Sequence, residues 1–458
     1  MKINLSDNNL GENTFRREEI APLFPFAGKT VAQLCQENEN LLIFPYDIET
    51  TDDRIGKSTV LTISNTESPD LVHLTTGNII GFIGIGPLKI KIKSRFDNGR
   101  DDYFLHYMLQ KVLSFNLFDL NHNNEEEDVF DFVMFMFPYF LKSALRQGLY
   151  REYRREEHND ARVRGAIEVN RFIRKDIPFQ GRIAYSVRNY SYDNAMTELI
   201  RHTIEYMKTK RYGQNVLSID AETAEYVHTV IDNTPSYDPS ERQNIVLQNL
   251  RLRSHPYYTE YRPLQILCLQ ILGMEGIKYG EDENEVCGIL FDAAWLWEEY
   301  VNTLLRPLKF IHSENKLGKG KIYLFEDLDE NGKIHRSGSR YPDFYKENIV
   351  LDAKYKMLGT YQRVSQVQRE DLHQVITYMT RLQYERGGFI APLRKEQETI
   401  PTAHIKDSKY SLSIYGIKVC DNAVSFHDFS REMERYEKQF IASLNLNMDH
   451  EKESHSLY

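Results

Sequence analysis

Residues 341–356 read YPDFYKENIVLDAKYK, and the fold turns on how that stretch is paired. Strand alternation sends Val350, Asp352, Lys354 and Lys356 to one face and Ile349, Leu351, Ala353 and Tyr355 to the other. Asp352 and Lys354 are therefore neighbours. If residues 341–346 run antiparallel to this strand and the chain turns at Glu347-Asn348, Asp343 falls directly opposite Asp352, with Cβ atoms about 5 Å apart. Two carboxylates so placed repel. Together with the carbonyl of Ala353 they offer the oxygen ligands that Mg2+ or Mn2+ prefers, and such a cation would relieve the repulsion. The plainer alternative is that Pro342-Asp343 opens a turn while Asp352 and Lys354 form a surface pair.

The chemistry open to the first arrangement is phosphodiester hydrolysis. A divalent cation lowers the pKa of a bound water and polarises the phosphate, while Lys354 orients that water or stabilises charge on a phosphate oxygen. Twenty residues on, EDLHQVITYM places Gln374 and Tyr378 four apart on one helix face, within reach of DNA or of the lysine. Upstream, LWEEYV supplies Glu298, either a solvated helical acid or a carboxylate that reaches the metal or supports a second one.

Around this centre, the order after residue 275 is helix (DAAWLWEEYVNTLLRPL), strand (KIYLFEDL), turn, strand, strand, helix, strand, with Asn331-Gly332 as the strongest hairpin signal. GGFIAPLR and YSLSIYGIKV follow as strands, and FHDFSREMERYEKQFIASL as a closing helix. From about 101 to 275 apolar residues recur at spacings of three and four, as in DVFDFVMFMFPYFLKSALRQ and AMTELIRHTIEYMKTKR, and predict helices. The first hundred residues are β-rich: NLLIFPYD, STVLTISN and HLTTGNIIGFIGIGPLKIKIKSRF are short apolar or alternating runs. In KIKIKSRF one face is apolar and the other basic, as in any half-exposed strand. These patterns give an α+β multidomain chain: a β-rich N-terminal domain over 1–115, a helical middle region over 116–275 and an α/β domain over 276–458.

The 458 residues exceed one ordinary core, and 41% apolar with 27% charged residues is a globular composition. Four cysteines without a C-x-x-C pair point to neither a zinc site nor a disulfide framework, which fits a reducing, cytoplasmic setting. The N-terminus lacks the apolar segment of a signal peptide. FVMFMFPYFL (132–141), the longest candidate membrane span, is ten uncharged residues and falls short of the ~20 a bilayer needs, so it reads as a buried helix and no membrane is implied. RIGKST carries the GKS of a phosphate loop, but Thr51 stands where the first glycine belongs, which excludes a nucleotide site. A net charge of −10 argues against indiscriminate coating of nucleic acid. Residues 146–182 nonetheless hold ten Lys/Arg against six Asp/Glu, a local surplus that is either a solvated helix face with its loop or a DNA contact.

The ordered set Glu298, Asp343, Asp352-Ala353-Lys354 and Gln374-x-x-x-Tyr378 resembles the PD-(D/E)xK nucleases, with the Q-x-x-x-Y element of their RecB-like branch. More narrowly, LWEEYV, the PDF/LDAKYK hairpin and REDLHQVITYM resemble the C-terminal half of the McrC family, nuclease subunits of McrBC modification-dependent restriction systems. Arg164-Gly165 in RVRGAIEV, NYSYDNAMTELIRHTI and the basic-faced KIKIKSRF extend the likeness upstream. The resemblance implies a restriction-endonuclease-like fold for 276–458. It also implies a Mg2+- or Mn2+-dependent endonuclease acting on DNA, modified double-stranded DNA above all. Asp343, Asp352, Ala353 and Glu298 would be its metal residues, Lys354 its catalytic cation, and Gln374 and Tyr378 its support. McrC-like subunits bind a hexameric AAA+ GTPase, McrB, and stimulate its hydrolysis, and the N-terminal β domain is the piece expected to enter that ring. Two other readings stay open: a non-cleaving activator of an AAA+ ring, and a stand-alone RecB-like nuclease.

Overall fold

The computed structural model describes residues 1–454 apart from 12, 39–40, 45–56, 86–87, 98–102, 114–127, 211–212, 252–254, 280–285, 314–319, 329–333, 359–360 and 397–398. The Asn331-Gly332 turn, the polar stretch 280–285 and the start of RIGKST lie outside the described residues. The chain is a mixed α/β protein that separates into two compact units. One comprises 1–37, 43–121 and 289–458, the other 38–42 and 122–288. The sequence reading laid out three consecutive segments instead. Strand pairing accounts for the difference: the N-terminal strands Leu88–Lys93 and Ile79–Ile85 share a five-stranded sheet with Val286–Asp292, which leads straight into the helix Ala293–Leu305.

At the centre of the first unit is a six-stranded sheet in the order Ile311–His312, Phe344–Lys346, Ile349–Ala353, Arg386–Leu393, Ser411–Lys418, Thr402–His404. Its three central strands are parallel and its flanks antiparallel. Central parallel strands are covered on both faces, so they read as continuous apolar runs, as IVL and FIAPL do here. The helix Arg369–Leu382 packs on the two strands Ile349–Ala353 and Arg386–Leu393, and the closing helix Phe426–Ser454 packs on Ser411–Lys418. Close approach of the first of these helices requires Gly387. A Cβ there would lie 2.4 Å from Met379 Sδ and 2.8 Å from Val375 Cγ1.

The helix Ala293–Leu305 starts at Asp292, whose carboxylate accepts the Ala294 N–H and caps it. Buried Trp297 donates its indole N–H to Ile390 O at 3.2 Å, which ties the helix to the central strand. On its other side Tyr300 and Tyr107 both donate to Glu437 Oε1, at 2.8 and 2.7 Å, and Lys111 pairs with Oε2 at 3.0 Å. One buried carboxylate thus joins three helices, and it is tolerable because every contact is charge-assisted.

The second unit contains the expected helices, among them Asp128–Arg146, Ala195–Lys208, Ala221–Asp232 and Tyr261–Tyr279. Asn194 caps Ala195–Lys208 with a reciprocal capping box through Thr197. Residues 133–141 are buried apart from Tyr139, and among the described residues no helix is long and apolar enough to cross a membrane. The purely helical reading of 116–275 needs correction. A three-stranded antiparallel sheet in the order Glu152–Asp160, Ile183–Ser191, Ala166–Ile167 occupies the basic stretch. EYRREEHND has polar side chains on both faces, so no apolar alternation announced a strand.

Candidate active site

The hairpin forms in the register expected from its turn. Phe344 pairs with Leu351, Tyr345 with Val350 and Lys346 with Ile349, and the same register carried back one residue sets Asp343 beside Asp352. Glu347 and Asn348 make the two-residue turn with φ of 26° and 68°. Asparagine tolerates that left-handed region, and turns of this hand match the twist of the flanking strands. Asn348 also accepts the Glu385 N–H at 2.6 Å, fixing the turn against the end of the neighbouring strand.

Asp352 is buried and Asp343 half-buried. Asp343 Oδ2 accepts the Ala353 N–H at 2.7 Å, which turns its carboxylate toward the strand Ile349–Ala353. Burial first, then the charge of Asp352, pushes Asp343 up to about 8. Burial also raises Asp352, against the opposing pull of Lys354. Among the described residues no donor is aligned on buried Asp352 Oδ1.

Lys354 Nζ lies 2.6 Å from Asp352 Oδ2 and 3.4 Å from Asp371 Oδ1. It donates to Gln374 Oε1 at 3.2 Å. Gln374 Nε2 in turn donates to the Tyr378 hydroxyl at 2.8 Å, which reaches Tyr341 O at 3.5 Å. Burial works against the charge of Lys354, but the attraction of Asp352, Asp343 and Asp371 outweighs it and holds the ammonium protonated. Of the two contacts expected for this helix face, Gln374 makes the one with the lysine, and Tyr378 backs Gln374. Burial pushes the Tyr378 phenol up to about 12, so it acts as a neutral hydrogen-bond partner.

Glu298 projects from its helix toward the same point. Burial, and then the charges of Asp343, Glu299 and Asp352, raise it well above the ordinary carboxylate range. His312 stands 3.8 Å from its Oε1 and contacts Asp343 O at 3.0 Å and Glu299 Oε1 at 3.4 Å, stacked on Phe344. The sequence reading did not single out His312 or Asp371. Asp371 carried a usable signal: positions 371, 374 and 378 share one helix face. It also takes Lys356 at 2.6 Å, and Lys356 donates to Gln368 at 2.8 Å.

Among the described residues no three His, Cys, Asp or Glu side chains form a ready metal cage. The donor set nevertheless fits a hard cation: two adjoining carboxylates, both with raised affinity for a proton, and one buried oxygen without an aligned donor. Asp343 and Asp352 would hold it with backbone and water oxygens, and Glu298 would stand as an outer carboxylate. A cleft of about 1250 Å³ adjoins this group on the side of Lys354, lined by Ala353, Lys354, Lys356, Gln374, Arg340 and Arg95 among others.

A family model described as "McrBC 5-methylcytosine restriction system component" matches residues 74–392. No curated protein matches the chain. Among solved structures the chain is similar to a refined half-complex from a tetradecameric assembly of Thermococcus gammatolerans McrB AAA+ hexamers with bound McrC. The identity is 16% and the TM-score 0.47, with 95% of this chain and 100% of that one covered. It is also similar to the cryo-EM structure of the Thermococcus gammatolerans McrBC complex, with 14% identity and a TM-score of 0.30, covering 67% of this chain and 87% of that one.

Proposed function

Since the chain belongs to the McrBC 5-methylcytosine restriction system component family, we propose that it is the DNA-cutting subunit of such a system, a Mg2+-dependent PD-(D/E)xK endonuclease. The observation that carries this reading is the pair Asp343 and Asp352 in register across a hairpin, with Lys354 held beside them by Gln374. A family likeness alone would not require those side chains to converge.

Asp343, Asp352 and the Ala353 carbonyl would hold the cation, which when bound polarises the phosphodiester and lowers the pKa of a water. The chain's own residues do the rest. Lys354 remains an ammonium and sets a fixed positive charge where the phosphate oxygens gain negative charge. Gln374, itself bonded to Tyr378, accepts from that ammonium at 3.2 Å while it pairs with Asp352, and so fixes its direction. Asp371 holds Lys356 at the cleft wall, where a second positive charge meets the DNA backbone. His312 contacts the backbone oxygen of Asp343 at 3.0 Å and so helps place the residue, and Glu298 adds a further carboxylate beside the pair.

For the partner we assign a McrB-like AAA+ GTPase ring, and for the substrate modified double-stranded DNA. Support for a docking surface comes from the sheet at 152–191, where Tyr153, Ile167, Val169, Ile173, Phe179 and Tyr190 are exposed among arginines. Exposed apolar side chains are concentrated there, which makes this sheet a second docking surface to test beside the N-terminal β region. The test is cleavage of methylated and unmethylated duplex DNA with Mg2+, with and without the ring protein and GTP. Asp352→Ala and Lys354→Ala are expected to abolish cutting, and cutting equal to the unaltered protein's would sink the assignment.

A further inference from the structure

The KIKIKSRF run ends in a grip rather than in solvent. Ser94, Arg95 and Phe96 follow the strand Leu88–Lys93 and close around Tyr355, the residue between Lys354 and Lys356. The Tyr355 hydroxyl is 2.6 Å from Ser94 Oγ. Its ring meets Phe96 edge-on at 5.0 Å and lies 4.7 Å from the Arg95 guanidinium. Arg95 Nη2 donates to Tyr355 O at 2.5 Å and to Asn78 Oδ1 at 3.0 Å. Arg95 is fixed from behind: Nη1 lies 3.5 Å from buried Asp7, and its carbonyl accepts Arg394 Nη2 at 2.7 Å.

The catalytic strand ends at Ala353, and its last backbone bond runs from the Lys354 N–H to Ile390 O. Beyond that point no ladder holds the chain, yet two lysines must leave it in a fixed direction. Residues 354–356 make a tight turn centred on Tyr355, with the Lys356 N–H donating to Lys354 O at 2.8 Å. Tyr355, 3% exposed, is driven into the N-terminal sheet. Both ammonium groups therefore face the cleft, Lys354 toward Asp352 and Lys356 toward Asp371. Were the Tyr355 peptide free to swivel, both would swing out of register with the acids.

We infer that Arg95 and Tyr355 are positioning residues for the lysine pair, through which the N-terminal sheet sets the direction of Lys354 and Lys356. This rests on the nuclease reading for its consequence in activity, though not for its mechanics. The experiment compares Arg95→Ala, Arg95→Lys, Tyr355→Phe and Lys354→Ala in two measurements on the full chain. One is kcat and KM for Mg2+-dependent duplex cleavage with the ring partner present. The other is hydrogen exchange of the metal-free protein over residues 353–358, with 386–393 as internal reference.

Arg95→Ala is expected to speed exchange at 353–358 by about tenfold, with the reference strand within about twofold. It should lower kcat by about tenfold or more with KM little changed, since a misdirected group costs turnover rather than binding. Tyr355→Phe and Arg95→Lys should give smaller changes of the same kind, and they carry the test should Arg95→Ala not fold. Unchanged exchange and unchanged kcat in all three, while Lys354→Ala abolishes cutting, would overturn the inference and leave the nuclease reading intact. Absence of cutting by the unaltered chain would defeat that reading instead, and the exchange result alone would then decide whether the grip holds 353–358.

Discussion

Asp343→Asn should make the metal-free protein more stable while abolishing its cleavage. Two carboxylates about 5 Å apart at an effective dielectric constant of about 20 repel by roughly 3 kcal/mol. Burial and that repulsion hold Asp343 at about 8, against 3.8 for the ordinary carboxyl. The sign follows from proton counting. Between about 4 and 8 the folded protein binds more protons at this site than the unfolded chain, so native stability falls as pH rises through that window. Asparagine removes the charge and still presents an oxygen to the Ala353 N–H that Asp343 Oδ2 accepts at 2.7 Å. The variant should therefore gain on the order of 2–3 kcal/mol at pH 8 in EDTA and much less at pH 5. Urea unfolding followed by intrinsic fluorescence measures this locally, because Trp295 and Trp297, the chain's two tryptophans, sit in the helix that carries Glu298. Added Mg2+ should stabilise the unaltered protein and leave the variant where it was. A gain that is the same at both pH values, a loss at pH 8, or equal stabilisation of both proteins by Mg2+ would refute the reasoning.

Three further outcomes follow from the same geometry. Gln374→Ala should lower kcat for DNA cleavage about tenfold or more with little change in DNA affinity, and Tyr378→Phe should do less, because Gln374 keeps its bond to Lys354; steady-state kinetics and a filter-binding assay separate the two. Gly387→Ala should cost about 1–3 kcal/mol in urea unfolding and also reduce turnover, since its Cβ would push Val375 and Met379, and with them the helix bearing Gln374, away from the sheet. Asn194→Ala, which removes a capping box in the other unit, should cost about 1–2 kcal/mol by the same denaturation measurement and leave the kcat for cleavage unchanged.

What could be read from the sequence was whatever local rules determine. The Glu347-Asn348 turn and the alternation of NIVLDAKYK fix a register, and a register fixes which side chains meet, so the meeting of Asp343, Asp352 and Lys354 was legible. Helix spacing likewise put Gln374 and Tyr378 on one face, although only the structure shows that Gln374 contacts the lysine and Tyr378 contacts Gln374. The strand Glu152–Asp160 was missed because EYRREEHND is polar at nearly every position and has no apolar period to detect. The two-unit division was missed for a different reason. It depends on strands some two hundred residues apart, Ile79–Ile85 and Val286–Asp292, lying side by side, and nothing local to either stretch specifies the other. The grip on Tyr355 is of the same kind: SRF is an unremarked end to a strand until Tyr355 arrives from 260 residues away to occupy it.

The distribution of charge around Lys354 points to a division of tasks among its neighbours. Asp352 and Asp371 both compensate the ammonium, yet only Asp352 stands beside Asp343. On the proposed reading, a cation that takes up Asp352 would withdraw part of the lysine's counter-charge. Asp371 and Gln374 would still hold Nζ in the cleft. A lysine paired with Asp352 alone would be left half-buried and unpaired at the moment its position matters, which is costly. The second acid therefore explains how one ammonium can sit next to a metal ligand without depending on it. It also explains why Asp371 lies on the same helix face as Gln374 and Tyr378: all three must reach Nζ or its support from one side. The Arg95–Tyr355 contact completes the arrangement from the opposite side, fixing the backbone from which that side chain departs.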